Sequence, residues 1–447
     1  MSTREIIMAI SPSFLRGYAK EIEHSPIAYR FAKGTFWVLA GTMSSRFLSM
    51  ISAILVVRML GKVHYGELGI VDSTVAMFTV FAAFGLGMTG VKYVAEYRVK
   101  DQAKAGRIIA LSEVVACTSG GVIATFLIIF APWLAETTLS ASHLTGLLRV
   151  GAGIIFLEAL IGAQGGVLSG LEAFKTIAQR NMALCIFTFP LMVSAVYFRG
   201  LEGAVWALLA SSGAKWFLNH LAVKKEITRF GIPLSYAGIT QELKILWSYS
   251  LPTVLGGIMV GPVNWACCTM LVRQSNGYGE MGIYNAANQW FNATMFLPGL
   301  LAQIVLPILS ERYGQNDQVQ SKKILALSMK INLMIVIPVI AVGCITSQYI
   351  MLIYGNGFAS GWITLIYALL TAGIIAVLTP IGLVIAASGA MWMGLLMNLG
   401  WAVIFLVTTK LAVGYGSAGL GFARLFAYIV HSTWTFAYAY KILKKNS

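Results

Sequence analysis

Long apolar stretches recur along the chain from about Gly34 to Tyr440. Each is roughly 20 residues or longer, which is enough to cross the hydrocarbon core of a bilayer as a helix. A membrane β-barrel would instead show segments of about ten residues with alternating hydrophobicity, and the sequence has none. Because the backbone must satisfy its own hydrogen bonds in lipid, the stretches predict a bundle of transmembrane α-helices.

The apolar stretches predict an all-α polytopic membrane protein of about twelve transmembrane helices. The predicted spans of the first half are 34–59, 66–91, 108–135, 144–172, 182–199 and 201–222. Those of the second half are 244–272, 280–310, 324–352, 361–388, 391–412 and 416–440. The predicted organisation is an N-terminal segment (1–33), an N-lobe (34–222), a linker (223–243), a C-lobe (244–440) and a tail (441–447).

Composition and charge support the membrane assignment and set its orientation. The chain is 58% apolar and only 11% charged, whereas a soluble domain is about half apolar and a quarter charged. If the N-terminus is cytoplasmic, most Lys and Arg residues fall on the cytoplasmic side. The outer loops then keep only Lys62, Arg199, Arg273 and Lys410. This bias places both termini in the cytoplasm and explains the net charge of +15 without nucleic-acid binding.

The sequence gives no sign of a metal site, a cofactor or an enzyme active site. The five cysteines lie scattered within the predicted spans and form no ligand spacing. No nucleotide-binding loop or catalytic triad spacing is present, and every predicted outer loop is short. We therefore expect neither a catalytic residue nor a cofactor, and the energy for any transport would come from elsewhere than ATP.

An internal repeat sets the predicted architecture. The motif that begins at Tyr65 and reads YGELGI opens the second span, and YGEMGI from Tyr278 opens the eighth. Six spans per repeat is an even number, so both halves enter the membrane from the same side and form parallel repeats. Such repeats make two lobes around a central cleft, where repeat-built transporters bind substrate near the membrane midplane.

Several segments of the first half resemble a known family. They are RMLG from Arg58, YG from Tyr65, GLG from Gly85 and KYVA from Lys92. Together they resemble the opening of Wzx-type polysaccharide repeat-unit flippases, in the multidrug/oligosaccharidyl-lipid/polysaccharide exporter (MOP) superfamily. The resemblance implies that an undecaprenyl-pyrophosphate-linked oligosaccharide crosses the bacterial cytoplasmic (inner) membrane for O-antigen or exopolysaccharide synthesis. It also implies a polysaccharide polymerase and chain-length proteins as partners.

Ionisable residues inside the spans are costly and usually face a cavity or a partner. The predicted cleft cations, suited to phosphate oxygens, are Arg46, Lys330, Arg424, Lys215 and Arg149. Arg46 is the leading candidate, since it shares a polar helical stripe with Ser45 and Ser49; pairing with Asp72 is the alternative. Lys215 and Lys330 reach either the cleft or the cytoplasmic interface.

The acidic and the amide side chains inside the predicted spans each allow two interpretations. Asp72, Glu158 and Glu113 either neutralise cations or bind the H⁺ or Na⁺ that drives transport. One face of the eighth span carries amides that suit sugar hydroxyls or hydrogen bonds between helices: Asn285, Asn288, Gln289 and Asn292. The alternative function is a multidrug or organic-cation antiporter of the same superfamily. The carboxylates of the first lobe are consistent with this alternative.

Overall fold

The protein is described by a computed structural model over residues 26–246, 250, 258–302, 305, 309, 318–387 and 391–445. Within these residues the chain forms helices and turns, with no β-strand. The described part contains twelve long helices, which confirms the predicted all-α class. The predicted N-terminal segment lies outside the described part up to residue 25, and from Pro26 onward it belongs to the first helix.

The helices of each half follow one another with short connections. In the first half, the helical stretch Pro26–Ala83 divides at Gly61 and the stretch Phe174–Phe230 divides at Gly200. The first six helices are α1 (26–60), α2 (62–83), α3 (Gln102–Trp133), α4 (Thr145–Gly170), α5 (174–199) and α6 (201–230). The next six are α7 (Val260–Val272), α8 (Gly277–Thr294), α9 (Gln318–Ile345), α10 (Trp362–Ala387), α11 (Met391–Ala412) and α12 (Gly416–Lys445).

Left-handed residues make equivalent tight turns in the two halves. Gly61, with φ 71°, separates α1 from α2, and Gly200, with φ 55°, separates α5 from α6. In the second half, Asn276 (φ 56°) precedes α8 and Gly416 (φ 68°) begins α12. Glycine adopts this conformation without the steric cost that a Cβ brings, and Asn tolerates it. The shared turn positions support the repeat read from the sequence.

Two predicted spans are interrupted, so their prediction as continuous helices was wrong. The second span, predicted as 66–91, breaks at Phe84 (φ 45°) and Gly85 (φ 67°). A short helix and a π-helical turn follow as far as residue 94. The eighth span, predicted as 280–310, breaks at Met295, and residues 296–302 are helical again. Pro298 has no N–H to donate to the residue-294 carbonyl, which accounts for the second break.

Seven stretches of the described chain are long and apolar enough to cross a membrane. Three of them each contain two of the helices: α1 with α2, α5 with α6 and α11 with α12. The helix α7 is apolar but short, and its predicted beginning at 244–259 includes residues outside the described part, Pro252 among them. The helix α8 is too polar to count among these stretches. Neighbouring helices must therefore shield its polar side chains from lipid.

The hydrophobic cores show where the two lobes meet. We call the end of the bundle at Gly61 the distal end, and the opposite end, at Gly170, the proximal end. The largest core runs through the distal half and joins both lobes, with Leu60, Leu271 and Met281 all buried. In the proximal half the described residues form separate cores, such as the one around Ile109 and the one around Ile381. The lobes therefore share a core distally and have separate cores proximally, where a buried hydrogen bond of 2.7 Å between Thr89 and Ser250 still joins them.

The predicted linker is fastened to the N-lobe. Glu242 accepts a hydrogen bond from the Arg107 guanidinium at 3.0 Å. Tyr236 donates to the carboxylate of Glu113 at 2.8 Å. This bond raises the pKa of Tyr236 to about 12, because the phenol gives up its bond when it ionises. The helix α6 continues to Phe230, so the linker is shorter than predicted.

Candidate functional site: a cavity between the lobes

Glycines bring the backbones of α2 and α8 together at the distal end. A Cβ placed on Gly66 would lie 1.8 Å from the carbonyl oxygen of Tyr278. One placed on Gly282 would lie 2.1 Å from the carbonyl oxygen of Lys62. No side chain fits at either position. The two copies of the repeated motif therefore pack against each other and hold the lobes together at this end.

Hydrogen bonds reinforce the closed distal half. Several cross between the lobes, among them Arg58 Nε to the Ile353 carbonyl (2.6 Å), the Tyr278 hydroxyl to the Leu139 carbonyl (2.8 Å), and Trp265 Nε1 to Thr74 Oγ1 (3.0 Å). The second and third are partly buried, so separating the lobes here would break bonds that water replaces only at a cost.

A cavity of about 320 Å³ lies between α1 and the α8 region. Arg46 and Ser49 line it from α1, and Gln289, Asn292 and Phe296 line it from the other side. The Arg46 guanidinium carbon lies 5.6 Å from the centre of the Phe296 ring, within range of a cation–π contact. Arg46, Ser49 and Asn292 are exposed. The cavity therefore offers one cation, an aromatic face and neutral hydrogen-bonding groups.

Gln289 belongs both to the cavity wall and to the contact between the lobes. Its Nε2 donates to the hydroxyl of Tyr65 in the N-lobe. Its Oε1 accepts a hydrogen bond from the hydroxyl of Tyr354 at 3.1 Å. Trp290 in turn donates to Tyr354 at 3.1 Å. One amide thus joins α2 to the C-lobe while its side chain borders the cavity.

Arg424 is held by neutral groups inside the C-lobe. Its guanidinium donates to Asn288 at 2.8 Å and lies over the ring of Phe291 at 4.0 Å. Its Nε is buried without a hydrogen-bond partner. Among the described residues no carboxylate pairs with it. Burying an uncompensated charge is costly, so this cation favours an anion nearby.

The acidic candidates of the N-lobe have different surroundings. Glu158 pairs with Lys215 at 3.2 Å and accepts a hydrogen bond from Ser212 at 3.1 Å. Asp72 is exposed and forms no ion pair with a described cation. Glu113 is bonded to the linker through Tyr236. The structure therefore joins Lys215 to Glu158, whereas neither Asp72 nor Glu113 forms an ion pair in the described part.

The described cavity lining does not include three of the remaining candidates, Arg149, Lys330 and Asn285. Arg149 on α4 and Lys330 on α9 have exposed side chains. The side chain of Ser45 is not among those described. Asn285 packs its amide against the backbone of Gly69, and its Nδ2 is buried without a partner. No described group of His, Cys, Asp and Glu residues is suited to hold a metal ion.

Sequence reasoning did not select three residues of this region. Tyr65 stands in the repeated motif, which was read as a mark of symmetry rather than as part of the cavity. Tyr354 and Phe296 carry no sequence signal of their own, since aromatic residues are frequent in the chain. They enter the site only because α2, the α8 region and the short helix Ser347–Ile353 that follows α9 converge there.

The chain matches a known protein family and curated relatives. The profile of a family described as "Polysaccharide biosynthesis protein" matches residues 31–312, more than half of the chain. The EPS I polysaccharide export inner membrane protein EpsE of Ralstonia nicotianae is 28% identical over 195 residues, which cover 42% of this chain and 44% of that protein. The chain thus spans less than half the length of this relative. The stage V sporulation protein B of Bacillus subtilis is 25% identical over 417 residues, covering 87% and 80%.

Solved structures share the fold. An inward-facing multidrug resistance transporter of the MATE family, in the MOP superfamily, superposes with a TM-score of 0.69 at 17% identity, over 92% of this chain and 99% of that one. The lipid II flippase MurJ, in an inward closed conformation, gives a TM-score of 0.68 at 16% identity, over 92% and 89%. At these identities the likeness establishes a common helical architecture.

Proposed function

The chain belongs to the polysaccharide biosynthesis protein family, and from that premise we propose that it is a flippase for a lipid-linked oligosaccharide. Its cargo would be a repeat unit joined to undecaprenyl pyrophosphate. The unit would move from the inner to the outer leaflet of the bacterial cytoplasmic membrane and serve the synthesis of a surface polysaccharide. Transport rather than catalysis is therefore the activity we assign.

The observation that carries this proposal is the composition of the cavity between the lobes. Arg46 supplies a permanent positive charge with a planar set of donors, which matches phosphate oxygens. Gln289 and Asn292 both donate and accept hydrogen bonds, as sugar hydroxyls require. The ring of Phe296 offers an apolar face for the flat side of a sugar. Cation, amides and ring together suit a phosphorylated glycan.

Further cations lie on the two lobes outside the cavity lining. Arg424 has no described carboxylate partner, and Lys330 and Arg149 are exposed. A pyrophosphate carries negative charge into a region of low dielectric, where an opposite charge stabilises it strongly. We assign the first contact with pyrophosphate to Arg46 and a later contact to Arg424.

The positions of the cores support alternating access. The lobes share one core distally and have separate cores proximally, which favours access to the cavity from the proximal side. The distribution of Lys and Arg favours a cytoplasmic location for that side and for both termini. Rocking the lobes about the cavity would then expose it to the other leaflet. Asp72 is our candidate for binding H⁺ or Na⁺ during the cycle.

Reconstitution into liposomes tests the proposal. A fluorescent undecaprenyl-pyrophosphate disaccharide is placed in both leaflets, and a membrane-impermeant reductant bleaches the outer one. Liposomes with the protein should lose almost all fluorescence, while those with Arg46→Ala should lose about half. Bleaching limited to half in both cases contradicts the proposal. Transport of an organic cation by the same vesicles would instead support the antiporter.

A further inference from the structure

The position of Gln289 connects the cavity to the closed distal end. Its amide group has two N–H donors and an oxygen with two lone pairs. One donor is used by Tyr65 and one lone pair by Tyr354. The side chain also borders the cavity. A ligand in the cavity and the contact between the lobes therefore meet at a single amide.

From this geometry we infer that Gln289 couples occupation of the cavity to opening of the distal end. A sugar hydroxyl entering the cavity takes the Gln289 amide as its partner and draws it away from Tyr65 and Tyr354. The distal contact then loses the Gln289–Tyr65 hydrogen bond, which crosses between the lobes, and the lobes separate more easily. The inference rests on the proposed function, since it takes a glycolipid as the ligand.

The surroundings of Gln289 favour exchange of partners at this residue. Tyr65 and Tyr354 are both buried, so water does not compete for their hydroxyls in the closed state. Tyr354 keeps a second bond, from Trp290, when Gln289 leaves it. Gln289 itself is only half-buried and has the cavity on its open side. The contact is thus stable when the cavity is empty and replaceable when it is filled.

The coupling predicts that the sugar, rather than the lipid or the pyrophosphate, releases the contact. A pyrophosphate has no hydrogen to donate once ionised and is drawn to Arg46 by charge. Sugar hydroxyls both donate and accept, so they can replace both bonds of the Gln289 amide. An undecaprenyl pyrophosphate without sugar should therefore bind without opening the distal end, which would keep an incomplete carrier from being moved.

Spin-label distances measure the opening directly. The labels are placed on the full-length protein in lipid nanodiscs at Glu136→Cys in the N-lobe and Lys410→Cys in the C-lobe, both exposed positions at the distal end. The accessible native cysteines Cys117, Cys185 and Cys344 are replaced by serine. The probes are undecaprenyl pyrophosphate alone and the same lipid carrying a neutral disaccharide. Bound lipid is counted by native mass spectrometry.

The ligand-free protein tests the contact itself. Of the two bonds of the Gln289 amide, the one to Tyr65 crosses between the lobes. Removing one neutral hydrogen bond should raise the ratio of open to closed distances roughly 5-fold. Tyr65→Phe and Gln289→Leu each remove this bond. The matched control is Gln274→Leu, the same substitution at an exposed position of the distal end, where the amide donates to the Met270 carbonyl of its own lobe. This variant should leave the ratio unchanged. An unchanged ratio in Tyr65→Phe and Gln289→Leu would overturn the inference.

The ligand response tests the coupling. The disaccharide lipid should raise the ratio of open to closed distances in the unsubstituted protein and in Gln274→Leu, but not in Gln289→Leu. The lipid without sugar should bind and leave the ratio as it was. A full response in Gln289→Leu, or an equal response to both lipids, would overturn the coupling while the proposed function stands. If the mass spectra show no lipid bound to the unsubstituted protein, the proposed function fails and the coupling with it.

Discussion

Arg46 shows how a single side chain can define what the cavity accepts. It is exposed, it borders the cavity, and its aromatic neighbour Phe296 holds it without neutralising it. The alternative in which Arg46 pairs with Asp72 has no counterpart among the described ion pairs. An arginine that is oriented but not neutralised is available to an anionic ligand.

Replacing Arg46 with Ala should lower transport of the pyrophosphate-linked glycan by roughly 10- to 100-fold. A hydrogen bond to a charged group contributes about 1.5–3 kcal/mol, and Ala supplies neither the charge nor the donors. Arg46→Lys should retain part of the activity, because it keeps the charge but not the planar pair of donors. The measurement is flipping rate in liposomes with equal protein content. Normal rates in Arg46→Ala would remove this residue from the site.

The pair of Glu158 and Lys215 makes it possible to test whether the N-lobe acids have a structural or a functional role. The two side chains are partly exposed and 3.2 Å apart. If their role is mutual neutralisation, Glu158→Gln alone should lower the Tm of the purified protein, since it leaves Lys215 without a partner. The double variant Glu158→Gln with Lys215→Gln should recover both Tm and flipping. A stable double variant that no longer transports would assign Glu158 to ion coupling.

At the scale of the helix, α2 and α8 are equivalent elements with the same two special features. Each begins with the repeated motif, whose glycines permit the close approach at the distal end. Each breaks near its proximal end, α2 at Phe84 and Gly85 and α8 at Met295. The two helices therefore form the closed distal contact. Each also contains a break at which the chain changes direction.

Replacing Gly66 with Ala should disrupt the closed distal contact. The added Cβ would lie 1.8 Å from the Tyr278 carbonyl oxygen, so α2 and α8 must move apart. Such overpacking costs about 1–3 kcal/mol. We expect a lower Tm and a larger share of distally open molecules. Gly146→Ala on α4 is the matched control, because no atom lies within 4 Å of its added Cβ, and its Tm should be unchanged or higher.

For the whole molecule, the number and class of the helices could be predicted from the sequence, because the bilayer demands long apolar stretches. The repeat also predicted two similar lobes. The breaks in α2 and α8 could not be read from hydropathy, since a change of backbone direction leaves the apolar pattern intact. The sequence also did not predict which groups the amides of the eighth span would contact. Helical spacing fixes the direction of Asn288 and Gln289 around their axis, but not which neighbour each one meets.

The cavity could not be predicted from the sequence for the same reason, because it forms only when the two lobes pack together. Arg46 and Asn292 were candidates from the sequence, yet their place in one cavity depends on the packing of α1 against the α8 region. Lys215 was also a candidate, and its partner Glu158 lies on a different helix that the sequence alone did not link to it. A charged residue in a span signals a functional or structural partner without naming it.

The most direct test of the central claim is the location of the lipid-linked oligosaccharide in cells that lack this gene. Complete units would be measured by mass spectrometry after treatment of intact cells and of inverted vesicles with a glycan-modifying reagent that cannot cross the membrane. We expect units to accumulate in the inner leaflet, and the intact gene, but not the Arg46→Ala form, to restore them to the outer leaflet. Normal amounts of complete units in the outer leaflet without the gene would contradict it.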